Sequence, residues 1–312
     1  MLIFSVSDKG GTGRSVTSTN IAYQAALIGR DACYLDFDFG SPTVGAIFDV
    51  EEYADEVVSD GLHDYLNGRV PEPHRLSVWE LSARDSVKQP PGGGRLDLFP
   101  GTKGGSSFVV DENNTARCVD LITRLNEQYD LCIVDLSAGR SFAAQLALQT
   151  LAHPALAGVE ARWLVFHRWT RQHVYAAKSL VHGRHGLVDT AQGIGPDQEG
   201  EERKDRMLAM IRYVRTAVID PHSPANMSLR PSQQAWLWEC DQDLERLASQ
   251  SGLGRSLRIG SIPLEPVLQW REQLITDRDV NVTRVANAET TQALRRLTSV
   301  LLDEKPWTLE DE

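Results

Sequence analysis

Short apolar runs, each followed by turn residues and then by a helical pattern, recur along this chain. Leu2 to Ser7 and Leu131 to Val134 have the length and composition typical of buried parallel strands. Further strands are predicted at Ala32 to Leu35, Leu96 to Phe99, Trp163 to Phe166 and Leu257 to Ile262, and helices at Ser15 to Gly29 and Ala116 to Gln128. Strands that alternate with helices predict an α/β fold: an open, mostly parallel sheet with helices on both faces.

The chain has 312 residues, a length that one large α/β domain can reach before it splits. We therefore predict a single domain over residues 1–302, followed by an acidic tail over residues 303–312. Loops are expected at Lys88 to Arg95, which contains Pro-Pro-Gly-Gly-Gly, and at Gly193 to Gly200, where the apolar periodicity is lost.

Composition and charge narrow the classes of partner. The formal net charge of −11 argues against a dominant, non-specific grip on DNA, which needs clustered positive charge. No apolar stretch approaches the roughly 20 residues that span a bilayer. The four cysteines show no metal-binding or redox spacing, and a reducing cytoplasm fits them best. We predict a cytoplasmic protein without a membrane partner, and DNA stays an open alternative that the net charge does not support.

The segment Lys9 to Ser15 lies directly after the first predicted strand and directly before a helix that begins near Val16. Its glycines allow the backbone N–H groups to turn inward, and the helix N-terminus adds partial positive charge. Together they predict a cradle for phosphate oxygens, in which a serine hydroxyl can be offered to magnesium. A glycine turn without a ligand is the alternative, but strand, turn, basic residue, serine and helix occur here in order.

The sequence of this loop, KGGTGRS, resembles the deviant Walker A motif KGGxGK[ST] of the ParA/MinD family of P-loop ATPases. The resemblance extends to three other segments, which are similar to the DxD segment, to the Walker B strand with switch II, and to a late strand and turn near the adenine. These segments are Tyr34 to Gly40, Tyr129 to Gly139 and Ile259 to Pro263. Similarity is clear over residues 1–50 and 129–140.

The resemblance implies ATP and Mg²⁺ as cofactors and an ATP-dependent homodimer. It gives catalytic roles to Lys9, which would reach the partner's phosphates, and to Asp38, which would orient the attacking water. It places Ser15, Asp36 and Asp135 around the magnesium. The residues implied to contact the nucleotide are Gly10, Gly11, Thr12, Gly13, Arg14, Ser15, Val16 and Pro263. For Asp36 or Asp135 taken singly, a carboxylate that only caps a helix is an equal alternative.

Arg14 departs from the family pattern, which has lysine at this position. Lysine is a compact point charge, whereas arginine is a longer, planar fork that prefers bidentate contacts. Misplacement of such a charge slows phosphoryl transfer, so the expected function is an ATP-binding switch with slow ATPase activity that gates an unidentified protein partner. Three alternatives remain: a catalytically degenerate nucleotide-binding scaffold, a metabolic ligase of the same superfamily, and a DNA-binding partition ATPase.

Several other features receive structural interpretations. The pair Trp236 and Trp238 is expected to pack one face against the core, with an exposed partner site as the alternative. Trp169 is expected in ordinary amphipathic packing, with an interface hot spot as the alternative. His182 and His185 have no neighbouring ligands at metal spacing. The segment Ile211 to Asp220 lacks the asparagine that, in the family, follows a strand and reads the adenine edge; Arg215 and Thr216 are the nearest polar candidates.

Overall fold

A mostly parallel sheet of eight strands forms the centre of the described chain. The computed structural model describes residues 1–40, 44–50, 60–102, 109–220, 223 and 229–303; the predicted acidic tail lies, apart from Asp303, outside them. The strands are β1 (Leu2–Val6), β2 (Ala32–Phe37), β3 (Leu76–Ser77), β4 (Leu96–Phe99), β5 (Leu131–Leu136), β6 (Ala161–Arg168), β7 (Ile211–Val218) and β8 (Arg258–Pro263). Their order is β3-β4-β2-β5-β1-β6-β7-β8.

Every strand pairs in parallel with its neighbours except β3, which pairs antiparallel with β4. The central strands are buried along their whole length because helices cover both faces, which explains their continuous apolar runs. β1 lies between β5 and β6, and β5 in turn lies beside β2. The carboxyl ends of β1, β2 and β5 therefore meet at one edge of the sheet.

The helices divide between the two faces. Helices are α1 (Arg14–Leu27), α2 (Val44–Ile47), α3 (Leu62–Leu66), α4 (Val78–Leu81), α5 (Glu112–Gln128), α6 (Phe142–Leu151), α7 (Arg171–His182), α8 (Leu187–Gln192), α9 (Gly200–Met210), α10 (Pro231–Gln250), α11 (Asp277–Asn281) and α12 (Ala288–Leu302). α1 and α12 pack with Ile3 of β1 on one face. α5, α6, α7 and α8 pack with Leu2, Phe4 and Val6 on the other. The predicted fold class is confirmed.

Element boundaries differ from the predicted ones where capping decides them. α5 begins four residues before the predicted start, at Glu112, because the Asp111 side chain accepts a hydrogen bond from the backbone N–H of Asn114. β3 was not predicted, since two residues of strand carry no readable alternation. No helix in the described ranges has both the length and the apolar character needed to cross a membrane.

His167 on β6 is a buried, neutral histidine. Its ring is 1% exposed and stacks between Trp169 and Tyr213, with ring centroids 6.1 Å away on each side. Neither ring nitrogen has a hydrogen-bond partner among the described residues. Burial, helped by the positive charge of Arg215, lowers the pKa of His167 from 6.5 to about 3. The imidazole is therefore uncharged in the folded protein at neutral and mildly acidic pH.

Because of this histidine, the free energy of unfolding should fall as the pH is lowered. Below about pH 6.5 the unfolded chain takes up a proton at His167 that the folded chain cannot bind, so the unfolded state is favoured. Between pH 7.5 and 5.5 the wild type should lose about 1.4 kcal/mol more unfolding free energy than His167→Phe, which keeps an aromatic ring there. Urea unfolding at both pH values measures the difference, because the other histidines are present in both chains. Equal losses would show that His167 titrates normally.

Candidate functional site

The loop between β1 and α1 turns through two glycines in a backbone conformation that other residues rarely adopt. Gly11 has a φ of 70° and Gly13 a φ of 73°. In this left-handed region a Cβ atom costs roughly 1–2 kcal/mol. Gly13 directly precedes α1, and no side chain caps the helix there. The N–H groups of the first turn thus lie open at the positive end of the helix dipole, which favours an anion.

The loop is held from both sides. The Thr216 hydroxyl of β7 donates a hydrogen bond to the carbonyl oxygen of Thr12. On the other side, the backbone N–H of Gly139 donates to the carbonyl oxygen of Ser7 over 2.8 Å, and the Ser7 hydroxyl donates to the carbonyl oxygen of Lys9 over 3.0 Å. A loop fixed at both ends is preorganised, so less ordering free energy is lost when a ligand binds.

The Arg14 side chain turns inward and bridges two of the predicted functional carboxylates. Its Nε lies 2.5 Å from Asp135 Oδ1, and its Nη2 lies 3.1 Å from Asp38 Oδ2. Nη2 also donates to the Ser15 hydroxyl over 3.4 Å, and Nη1 to the Ser7 hydroxyl over 3.5 Å. Arg14 is 6% exposed. Burial opposes its charge, but Asp135 and Asp38 outweigh that effect and raise the pKa of Arg14.

Asp36 and Asp135 lie side by side on β2 and β5, where they are register partners. Burial, followed by the negative charge of Asp135, raises the pKa of Asp36 well above its usual range. Burial also raises the pKa of Asp135, although the Arg14 guanidinium opposes that shift. Asp36 accepts a hydrogen bond from the backbone N–H of Asp38 over 3.0 Å, so it shapes the turn that carries Asp38.

Lys9 lies half-buried on the opposite side of the loop, towards the first turn of α7. Burial and the positive charges of Lys9 and Arg168 lower the pKa of His173, in that order of size. In the part of the chain that the structure describes, Lys9 forms no ion pair. Its ammonium group is therefore available to a ligand or to a second molecule.

A cavity of about 240 Å³ opens beside the loop, between α1 and the ends of β7 and β8. Its lining includes Gly11, Thr12, Gly13, Val16, Thr216 and Pro263. Ala217, also in the lining, has a φ of 51°, an uncommon conformation for a residue with a side chain. The cavity therefore connects the loop with the carboxyl ends of β7 and β8.

A larger groove, of about 720 Å³, lies between α7 and α10 and does not include the loop. Trp236 is 62% exposed and Trp238 is 53% exposed on α10, so the prediction that they pack against the core is wrong. α10 buries only Ala248 fully, which leaves its other residues accessible or partly so. Trp169 is buried, as predicted, and its Nε1 donates to Asp241 over 2.7 Å.

Magnesium does not fit among its predicted ligands in this arrangement. The ion needs oxygen ligands at about 2.0–2.1 Å in near-octahedral geometry. Here the guanidinium of Arg14 already contacts Ser15 and Asp135, and Asp36 is directed to the backbone of Asp38. The magnesium site stays a prediction that this arrangement does not accommodate.

The structure brings most of the predicted residues together around α1. Ser15, Asp38 and Asp135 each contact the Arg14 side chain, whereas Gly10 is exposed at the loop tip. Thr216 lines the cavity, but the other candidate for reading a base, Arg215, is directed away. It pairs with Glu245 over 2.5 Å and stacks over the Trp169 ring.

Three contributors were missed by sequence reasoning. Ser7 contacts Arg14, and Glu265 lies in the lining of the cavity. Tyr34 is fully buried beside Asp135, and its pKa is raised by burial and by the negative charge of that carboxylate. Ser7 directly precedes the loop and could have been suspected from that position. The other two become neighbours of the site only through the pairing order of the sheet and the fold of the C-terminal segment.

Comparison with curated proteins gives matches to parts of proteins only. A septum site-determining protein MinD of Emiliania huxleyi is 28% identical over 149 residues, which are 48% of this chain and 48% of that protein. An uncharacterised ATP-binding protein of Methanocaldococcus jannaschii is 25% identical over 161 residues, 47% of this chain and 49% of that protein. The chain thus spans about half the length of the curated relatives it matches. No protein-family model matches the chain.

Solved structures align with nearly the whole chain. The MinC:MinD cell division complex of Aquifex aeolicus gives a TM-score of 0.56 at 18% identity and covers 97% of this chain and 96% of that one. MinD of Pyrococcus horikoshii OT3 with Mg-ADP gives 0.50 at 17%, with the same coverage. A plasmid partition protein of Borrelia burgdorferi B31 bound to AMPPNP gives 0.56 at 13%, covering 97% and 98%. The chain has the fold of MinD and plasmid partition ATPases.

Proposed function

We propose that this chain, which has the MinD/ParA fold, binds ATP at the loop Lys9 to Ser15 and acts as a nucleotide-gated switch. One observation carries the proposal: the uncapped N-terminus of α1 opens onto a loop with two left-handed glycines, beside a cavity of about 240 Å³. The ligands named for similar proteins agree with it, since one was solved with Mg-ADP and another with AMPPNP.

Gly11→Ala tests this proposal against a matched control. Gly11 and Gly92 have φ values of 70° and 77°, and a Cβ atom added to either meets nothing within 4 Å. Both substitutions strain the backbone equally, but only Gly11 lies in the proposed cradle. We expect Gly11→Ala to weaken ATP binding about tenfold or more, which is roughly 1.4 kcal/mol, and Gly92→Ala to leave it unchanged. Isothermal titration calorimetry measures both.

Two results of this titration would count against the cradle. A wild type that binds no ATP removes the proposed function. Equal affinities for wild type, Gly11→Ala and Gly92→Ala would place the nucleotide away from the loop, for example in the groove between α7 and α10.

In the proposed switch, binding of ATP would cause two copies of the chain to dimerise. Lys9 is half-buried and forms no ion pair in the described ranges. A lysine so placed is available to phosphates held by a second copy of the chain. The nucleotide state would then set whether two copies associate and whether a partner protein is bound, as a MinC:MinD complex illustrates for a protein of this fold.

Hydrolysis in the wild type is expected to be slow. Asp38, the group proposed to orient the attacking water, is paired with the Arg14 guanidinium at 3.1 Å. A carboxylate engaged in that pair is a weaker acceptor for a water proton and is held in a fixed orientation. Nucleotide binding rather than rapid turnover is thus the property that the arrangement favours.

A further inference from the structure

The guanidinium of Arg14 lies at the proposed nucleotide site, where a positive charge is needed to balance the phosphates. It contacts four side chains, two hydroxyls and two carboxylates, contributed by the loop, α1, the end of β5 and the turn after β2. Three of these, Ser15, Asp38 and Asp135, are the groups to which sequence reasoning gave metal-binding or catalytic roles. One side chain of this protein therefore occupies the centre of that set.

A divalent ion and this guanidinium cannot share the position. Both are cations, and the Asp135 carboxylate oxygen that would ligate a metal lies 2.5 Å from Arg14 Nε. Arg14 is 6% exposed, and Asp135 is fully buried. Entry of the metal would require the arginine to leave its two carboxylates and would place a second charge in the same buried region, which costs several kcal/mol per ion.

The same guanidinium still has donors for a ligand. Arginine carries five N–H groups in a planar fork that matches phosphate oxygens. Nη2 donates to Asp38 and to Ser15. Nε lies 2.5 Å from Asp135 Oδ1 as an ion pair without a hydrogen bond to it, and the contact of Nη1 within the described residues is the long one to Ser7, at 3.5 Å. Nη1 thus lies beside the loop with hydrogen-bonding capacity to spare, at the N-terminus of α1.

We propose that Arg14 is the resident cation of the nucleotide site, so that this chain binds the polyphosphate of ATP without a divalent metal ion. The inference rests on the proposed function and deepens it. Asp38 and Asp135 hold the guanidinium in place, and Arg14 supplies the positive charge that a magnesium ion would supply elsewhere. Lysine carries its three donors on one nitrogen, so it cannot spread them over both carboxylates and the phosphates as the planar fork of arginine does.

The test is titration of ATP into the wild-type chain and into Arg14→Lys, each in excess EDTA and in excess MgCl₂. For the wild type the two dissociation constants should agree within about threefold, which is under 1 kcal/mol. For Arg14→Lys, magnesium should tighten binding by about tenfold or more, because the bridging guanidinium is gone.

The outcomes separate this inference from the proposed function. Wild-type binding that weakens about tenfold or more in EDTA overturns the inference and leaves nucleotide binding standing, since Arg14 would then give way to the metal. Absence of binding in both buffers overturns the proposed function and the inference with it. The two wild-type titrations decide the matter even if Arg14→Lys does not fold.

Discussion

Arg14→Ala is expected to lower the free energy of unfolding by about 3–5 kcal/mol, the loss typical when one partner of a buried ion pair is removed. Asp135 is fully buried, and Arg14 Nε is its closest positive group, at 2.5 Å. Without the guanidinium, the carboxylate must stay charged and unpaired in a region of low dielectric or take up a proton. Guanidinium chloride unfolding at neutral pH measures the loss.

A second substitution tests whether the unpaired charge of Asp135 causes this loss of stability. Asp135→Asn removes the charge and keeps the shape, so Arg14→Ala with Asp135→Asn should recover part of the stability that Arg14→Ala loses. Arg206→Ala is the control, because Arg206 pairs with Glu202 on the exposed surface of α9 and its loss should lie within experimental error. If Arg14→Ala is as stable as the wild type, Arg14 does not hold Asp135 in solution.

Arg14→Lys is expected to release phosphate from ATP about a hundredfold faster than the wild type, a factor typical of correcting the position of a catalytic group by about 1 Å. The guanidinium pairs with Asp38 through Nη2 and with Asp135 through Nε, whereas lysine carries its donors on one nitrogen and has no planar fork to hold both carboxylates in that geometry. Asp38 would then be free to accept a proton from water. Phosphate release under saturating ATP in magnesium buffer measures the change.

The gain should depend on Asp38. Arg14→Lys combined with Asp38→Asn should return to the wild-type rate, because an amide cannot take up the proton. A wild type that releases phosphate as fast as Arg14→Lys would show that Arg14 moves aside during turnover, and the slow hydrolysis proposed here would be wrong.

The fold was largely predictable because its strongest signals are local. β1 and β5 are apolar runs long enough to be buried on both faces, and the glycines after β1 end the strand and begin α1. β3 was not predictable, since its two residues are a strand only through their pairing with β4. The exposure of Trp236 could not be predicted either, because it depends on how α10 lies on the rest of the chain.

The site was predictable as a list of residues but not as a set of contacts. The loop motif and the aspartates after two strands indicated which residues matter. That Asp36 and Asp135 are neighbours follows from the placing of β5 beside β2, which no local pattern reveals. The pairing of Arg14 with Asp38 and Asp135 depends on that same sheet order and on the length of the arginine side chain. The loop motif alone shows only that arginine replaces lysine at this position.

The central claim, a nucleotide-gated switch at this loop, is tested most directly by the molecular mass of the protein in solution. Multi-angle light scattering should be recorded at micromolar concentration with AMPPNP, with ADP and without nucleotide, for the wild type and for Gly11→Ala. The wild type with AMPPNP should have a doubled mass, and the protein in every other sample should be a monomer. An unchanged mass across all samples would contradict the proposed switch.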